Sequence, residues 1–413
     1  MKRALLTISL AALLLITAAC DNAANGGSDD DKDYVPGEEL LKGKRQGHSV
    51  RPNVMRPTKE RMAQLKLPDG FKISLFATGL GRPRMLLTLD DGTILVSRRR
   101  PGDVLAVKDT DGDGKADKIE KAIPDLEQAH GLAVHDNKLY IGTIRKIYVA
   151  DVKDGKVGKP RVLIDDLPKG GRHPNRTLGI GPDKMLYISV GSTCNCCVEP
   201  NEESATVLRS TLDGKQRIIF SRGLRNTVGF DWHPKTGQLW GMDHGTDWLG
   251  DNEPPEELNL LEKGNDYGWP FVYGDRKTIP LKSHPKVGDL SEYAKKTVTP
   301  VLGYTAHAAP IEMEFYDAEQ FPEEYRGDAF IAMHGSWNRK PPAGYEVVRV
   351  KFDDKGKPVK FEKFLTGFKL EGMDEPAVFG RPAGLTIAKD GSLLVGDDNT
   401  GVIYRIEYVG KDG

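Results

Sequence analysis

The sequence predicts an all-β fold, a six-bladed β-propeller. Three observations carry this: a recurring strand-turn-strand unit, six copies of it, and almost no helical periodicity between them. The unit is an apolar strand, a polar turn with Asp, Gly or Pro, and a second apolar strand. The first copy runs from Arg84-Met85-Leu86-Leu87-Thr88 into Thr93-Ile94-Leu95-Val96, and the second from His130-Gly131-Leu132-Ala133-Val134 into Lys138-Leu139-Tyr140-Ile141-Gly142. The third joins Thr177-Leu178-Gly179-Ile180 to Met185-Leu186-Tyr187-Ile188-Ser189, and the fourth Val228-Gly229-Phe230-Asp231-Trp232 to Gln238-Leu239-Trp240-Gly241. The fifth spans Pro310 to Ala332, and the sixth Ala383 to Val395. The first three steps are about 45 to 50 residues and the later two longer, as expected of four-stranded blades with insertions in the second half. A sheet with two apolar faces cannot cover itself, so the units must stack around an axis and close. Loops then converge at one end, and residues just before each inner strand become neighbours.

The N-terminus has the form of a targeting segment. Lys2 and Arg3 precede an apolar run from Ala4 to Ala19 that is too short and alanine-rich for a comfortable membrane span. Thr17-Ala18-Ala19-Cys20 resembles the lipobox of a bacterial lipoprotein, although leucine is usual where Thr17 stands. The expectation is an exported protein on the periplasmic side of a membrane, with residues 1–20 a lipoprotein signal peptide and a lipid anchor at Cys20. The alternative is an ordinary signal peptide cut after a small-x-small site. Residues 21–66, rich in Asp, Asn, Gly and Lys, are expected to be a solvated tether, and 67–413 the folded propeller domain. Across 413 residues, 59 Lys and Arg balance 60 Asp and Glu, so no basic excess points to a nucleic-acid partner. The remaining cysteines, Cys194, Cys196 and Cys197, form one odd-numbered cluster, read as a short disulfide with one thiol left over, or else a metal or redox site.

Asp109-Thr110-Asp111-Gly112-Asp113-Gly114-Lys115-Ala116-Asp117-Lys118-Ile119-Glu120 satisfies the calcium-loop template: carboxylates at alternate positions, glycine at six and Glu at twelve. Its flanks are strands, so the choice is a calcium-stiffened hairpin or an acidic turn without metal. Asp109, Asp111, Asp113, Asp117 and Glu120 are the candidate ligands. His173, in Gly171-Arg172-His173-Pro174-Asn175-Arg176, precedes an inner strand and is hemmed by arginines, which suits an imidazole kept neutral as a general base. His130 and His307 each precede an inner strand as well, lining the funnel or simply hydrogen-bonded in loops.

These motifs are joined by Arg222-Gly223-Leu224-Arg225-Asn226-Thr227, Asp243-His244-Gly245-Thr246-Asp247-Trp248, Pro254-Pro255-Glu256-Glu257-Leu258-Asn259 and Gly264-Asn265-Asp266-Tyr267-Gly268-Trp269-Pro270. Together they resemble the soluble aldose (glucose/L-sorbosone) dehydrogenases that depend on pyrroloquinoline quinone (PQQ). The match is closer to the bacterial L-sorbosone dehydrogenase-like branch and extends from about Leu67 to Tyr408. The resemblance implies a PQQ- and calcium-dependent oxidoreductase that oxidises a sugar or sugar-like alcohol or aldehyde and passes electrons to a membrane or soluble acceptor. It implies His173 as catalytic base, seven positions before Ile180 of the Ile-Gly-Pro-Asp turn. Arg225, Asn226 and Arg381 fall on cofactor-contacting positions, where guanidinium forks suit a tricarboxylated quinone. Gly245 and Thr246 fall on the carbonyls that hold the catalytic calcium, and Glu256, Glu257 and Tyr267 on a second, structural calcium site.

The chain also departs from the family pattern. Ser192 stands where an aspartate orients the base, and Ala383 where a second arginine follows the first by two positions. The loop from Thr246 to Glu256 is longer and carries Asp247 and Asp251, which unsettles the ligand assignment; Arg339 or Lys340 substitutes for a family lysine. No strand leads through G-x-G-x-x-G into a helix, so a dinucleotide carrier is not indicated. Two other classes remain open at this stage: a calcium-dependent lactone or ester hydrolase propeller, and a non-catalytic binding propeller.

Overall fold

The computed structural model describes residues 37–43 and 45–410, all within one compact unit, Pro36–Gly413. The expected signal peptide, Cys20 and the expected tether up to residue 36 lie outside the described residues. Among the described residues, no helix is long and apolar enough to cross a membrane.

The fold is all-β and propeller-like. Six sheets of four or five antiparallel strands follow one another along the chain. The first holds Leu86–Thr88, Ile94–Arg98, Asp103–Lys108 and Lys118–Ile123; the second runs from Leu132–His135 to Arg161–Ile164. The third runs from Leu178–Ile180 to Arg217–Arg222, the fourth from Thr227–Trp232 to Leu302–Tyr304, and the fifth from Pro310–Phe315 to Pro358–Leu365. The sixth takes Pro382–Ile387, Leu393–Asp397 and Val402–Tyr408 from the C-terminal end and its outermost strand, Phe71–Ala77, from the N-terminal end, pairing Phe71 with Tyr408.

Within each sheet the sequence sets the strand's depth. Second strands such as Leu186–Val190, Ala329–Met333 and Leu393–Asp397 are buried at every residue, and their apolar runs cover both faces. The outer strand Lys118–Ile123 is exposed over its first four residues, Lys-Ile-Glu-Lys, where charge protects a free edge. First strands are neighbours in turn: first sheet to second, second to third, fourth to fifth, fifth to sixth and sixth back to first, while the third meets the fourth through its second strand. Such close approach requires small residues. A Cβ on Gly131 would stand 2.3 Å from the Arg176 carbonyl oxygen, and one on Gly384 2.6 Å from that of Arg84.

The described part of the expected tether is docked on the sheets, although most of its residues remain exposed. Glu38–Glu39 pairs with Cys197–Val198, Gln46 bridges Leu249, the Val50 N–H donates to the Trp337 carbonyl, and Asn53–Val54 runs parallel to Ala377–Val378. Leu41 is buried against Cys196 and Phe271, and Arg45 and Arg51 lie over the rings of Trp248 and Trp337. The reason is that this segment docks mainly through backbone hydrogen bonds and cation-π contacts, which need no hydrophobic pattern.

Candidate functional site

Two positions recur at one end of the sheets: the residues just before a first strand, and the residue just after a second strand. The former supply Arg84, His130, Asn226 and Arg381; the latter supply Arg99, His244, His334 and Asp398.

His173 lies in the loop before the third sheet and is half-buried. Its Nδ1 is 2.8 Å from Ser192 Oγ and 3.1 Å from the Ser192 carbonyl oxygen, and the Ser192 hydroxyl donates to the Cys194 carbonyl at 2.8 Å. With the hydroxyl proton committed to Cys194, both groups facing Nδ1 are acceptors. Nδ1 therefore carries the ring proton and Nε2 the free lone pair. Burial, followed by the fields of Arg225, His244 and Arg172, holds the imidazole well below its ordinary pKa, so the ring is neutral. Ser192 thus fills the place of the missing aspartate as an orienting group without adding a negative charge. Cys194 and Cys197 form a disulfide that closes this loop, leaving Cys196 buried as a thiol whose pKa is pushed up to about 12 by burial.

Arg225 is 3% exposed and ties two loops together. Its Nε donates to the Asn195 carbonyl at 2.9 Å, and its Nη2 to Asn195 Oδ1 at 2.9 Å and Asp247 Oδ2 at 3.0 Å. Asp243 accepts from the backbone of Arg225 at 2.9 Å and of Asn226 at 2.8 Å, which locks the Arg-Asn turn. Asn338 donates to Asp247 Oδ1 at 2.7 Å and lies 3.2 Å from His307 Nδ1. Arg339 is buried, with its Nη atoms on the Ala306 carbonyl and on Asn252, and its Nε lacks a partner. Arg381 donates from Nε to the His334 carbonyl at 3.0 Å and from Nη2 to that of Gly335 at 2.7 Å. Asp398 joins Arg84 at 2.6 Å to His334 Nε2 at 2.8 Å. His130 is 1% exposed, and the Arg176 carbonyl is close enough to be felt but not aligned for a hydrogen bond, so neither ring nitrogen has a partner. The result is a histidine-lined, cation-rich loop face. Asp398, His334 and Arg84 are the additions that sequence reasoning missed, and the position after each second strand is the signal that points to the first two.

The metal candidates divide. Gly245 and Thr246 carbonyls accept no backbone hydrogen bond from the described residues, which leaves their lone pairs open to a hard cation. Glu256 and Glu257 are successive residues of one strand and point to opposite faces. Glu256 accepts from Gly245 and Ala309 N–H groups, Glu257 from that of Gly274, while the Tyr267 hydroxyl engages Glu262 N and the Leu260 carbonyl. These three side chains do not assemble one calcium site. Burial lifts the two carboxyls instead, Glu256 to about 8 and Glu257 to about 7. In the acidic loop, Asp109, Asp111 and Asp113 converge with ligand atoms within 4.8 Å of one another. Asp117 turns away to cap Thr110, and Glu120 lies on the following strand beside Lys118, because the loop closes a hairpin and no helix brings position twelve back.

Six antiparallel sheets that meet in turn and present such a face define a propeller-like all-β protein. The chain belongs to the TrAA12-like family, whose pattern matches residues 65–409. It is 33% identical over 367 residues to an uncharacterised protein of Borreliella burgdorferi, covering 84% of this chain and 92% of that one. It is 25% identical to a PQQ-dependent sugar dehydrogenase of Hypocrea jecorina, covering 84% and 90%. The holo PQQ domain of a pyranose dehydrogenase from Coprinopsis cinerea shares the fold, with a TM-score of 0.70 at 21% identity over 87% of this chain and 100% of that one.

Proposed function

We propose that this protein is a six-bladed propeller quinoprotein that oxidises a sugar or sugar-like alcohol or aldehyde with PQQ and calcium, His173 serving as general base. The observation that carries the reading is the neutral His173, its Nδ1 proton directed at Ser192 and its Nε2 lone pair free, beside a cation-rich face. The residues fit the cofactor: buried nitrogens of Arg84, Arg339 and His130 lack partners, and a tricarboxylate supplies the acceptors they want. Arg225, Asn226, Arg381, Arg339 and His130 would hold it, and the Gly245 and Thr246 carbonyls its calcium. Bound PQQ supplies a two-electron acceptor for the substrate's hydride, and calcium polarises its carbonyl. His173 Nε2 takes the substrate hydroxyl proton, Ser192 keeps the ring oriented through Nδ1, and the guanidinium groups stabilise negative charge that develops at the site. The arginine face favours this reading over a lactone or ester hydrolase, which needs calcium but no cage of cations.

The test is to add PQQ and calcium to purified apoprotein and record the absorption spectrum with and without a panel of aldoses. A quinone spectrum that bleaches with one or more sugars is expected; no change on any addition would overturn the assignment.

The segment before residue 37 further supports an exported protein held on the periplasmic side by a lipid on Cys20, through the cysteine that ends its apolar run. Cys20→Ser is expected to move the protein from the membrane pellet to the soluble fraction. A variant that still pellets, with wild type carrying no lipid, would refute the anchor.

A further inference from the structure

The expected second arginine of the cofactor cage is absent at Ala383, yet the place beside it is not without a cation. First strands of the sixth and first sheets lie together, and Gly384 packs on the Arg84 carbonyl, so Arg84 enters the site from the neighbouring sheet directly alongside Ala383. Met85 and Ala383 share one small buried cluster with Val228 and Ile311, which excludes a long charged side chain from position 383.

Arg84 is incompletely satisfied. Its side chain is 13% exposed; Nη1 bonds Asp398 at 2.6 Å, and its buried Nε has no partner. The other oxygen of Asp398 is taken by His334. Arg99 lies close enough for its charge and that of Arg84 to oppose each other, and its side chain donates to Gln128 at 3.0 Å. Burial and the neighbouring Arg84 and Arg100 charges push Arg99 down to about 10. Arg381 completes the group, its field reaching Asp398, Arg84 and His334. His130 and His334, which face Arg84, are both held below their ordinary pKa and add no negative charge. Asp397, behind them, is buried, pushed up to about 6, and occupied by Thr400 and by the Arg381 and Asn399 N–H groups. Three guanidinium groups therefore meet one fully ionised carboxylate, and the fully buried His130 beside them has two unpartnered nitrogens. A half-buried surplus of cations of this kind favours binding of an anion, which neither a neutral sugar nor water supplies.

We propose that Arg84 and Arg99, together with Arg381, form the seat for one carboxylate of the quinone, Arg84 replacing from the first sheet the arginine that Ala383 lacks in the sixth. The proposal rests on the PQQ reading above and adds residues that the family pattern does not supply.

The test titrates apoprotein and calcium with PQQ, following tryptophan fluorescence, in wild type, Arg84→Ala, Arg84→Lys, Arg99→Gln, Arg225→Ala and the surface control Arg209→Ala. Loss of a charge-assisted pair is expected to weaken PQQ binding about tenfold to a hundredfold in Arg84→Ala and Arg99→Gln, with Arg84→Lys between them and wild type. The trimethyl ester of PQQ, which keeps the ring but not the carboxylates, is expected to bind wild type and Arg84→Ala alike. If Arg84→Ala does not fold, Arg99→Gln and Arg84→Lys carry the comparison. Wild-type affinity in the folded Arg84 and Arg99 variants, with Arg225→Ala weakened, overturns the seat and leaves the quinone reading standing. Wild type that binds no PQQ overturns both.

Discussion

Replacing His173 by alanine is expected to lower kcat about a hundred- to ten-thousandfold, the range for a lost general base, while PQQ still binds. The ring's contacts run to Ser192, not to any proposed cofactor residue, so the binding isotherm should be nearly unchanged while turnover collapses. Near-normal turnover in that variant would remove His173 from the chemistry. The same geometry sets a pH signature. A base acts when neutral, and burial with the Arg225, His244 and Arg172 charges depresses the His173 pKa below 6.5. Activity is therefore present at neutral pH and lost only as pH falls through the depressed value, so the acid limb of kcat/KM should lie below about pH 6.5. Ser192→Asp places an anion beside Nδ1, favours the imidazolium, and should move that limb to higher pH. A limb that stays in place would mean that another group sets it.

Arg225→Ala is expected to produce the largest loss of stability near the site, about 3 to 5 kcal/mol, together with weaker PQQ binding. The side chain is buried and bonds Asn195 on one loop and the half-buried Asp247 on another, so its removal unties both loops and leaves Asp247 only Asn338 and the more distant Arg172. Arg172, half exposed and 3.8 Å from the same Asp247, serves as the contrast. Its alanine variant should cost no more than about 1 kcal/mol, because solvent screens that pair. Denaturant midpoints at unchanged slope measure both, and equal losses in the two variants would contradict the assignment of Arg225 as the tie.

The strands themselves were readable residue by residue. Leu186–Val190 and Leu393–Asp397 are predominantly apolar and buried at every residue because both of their faces are covered, and Gly131 and Gly384 mark where neighbouring first strands touch. Local signals of this kind depend on nothing beyond a few residues. His173 was likewise legible as a histidine ahead of a first strand, where a ring of sheets gathers its loops, whereas Asn226 and Arg381 were legible only through the family resemblance. Less was visible in residues whose role depends on direction. Glu256 and Glu257 looked like a pair in sequence, yet adjacency in a strand sends them to opposite faces. Asp109, Asp111 and Asp113 converge as their spacing suggested, while Glu120 does not, because its return requires a helix that this hairpin lacks. The segment from residue 37 to 66 reads as a tether because it is polar, but backbone hydrogen bonds to Cys197, Leu249 and Trp337 hold it without any apolar stripe.

By itself, then, the sequence determined that the chain is a repeated all-β array and marked loop residues as candidates for chemistry, since strand period, turn residues and charge are local properties. Which cations share a carboxylate was decided by tertiary structure alone. Arg84 and Asp398 stand 314 positions apart, and only the meeting of the first and sixth sheets brings that guanidinium to that carboxylate, while the Arg84 Nε is left unsatisfied.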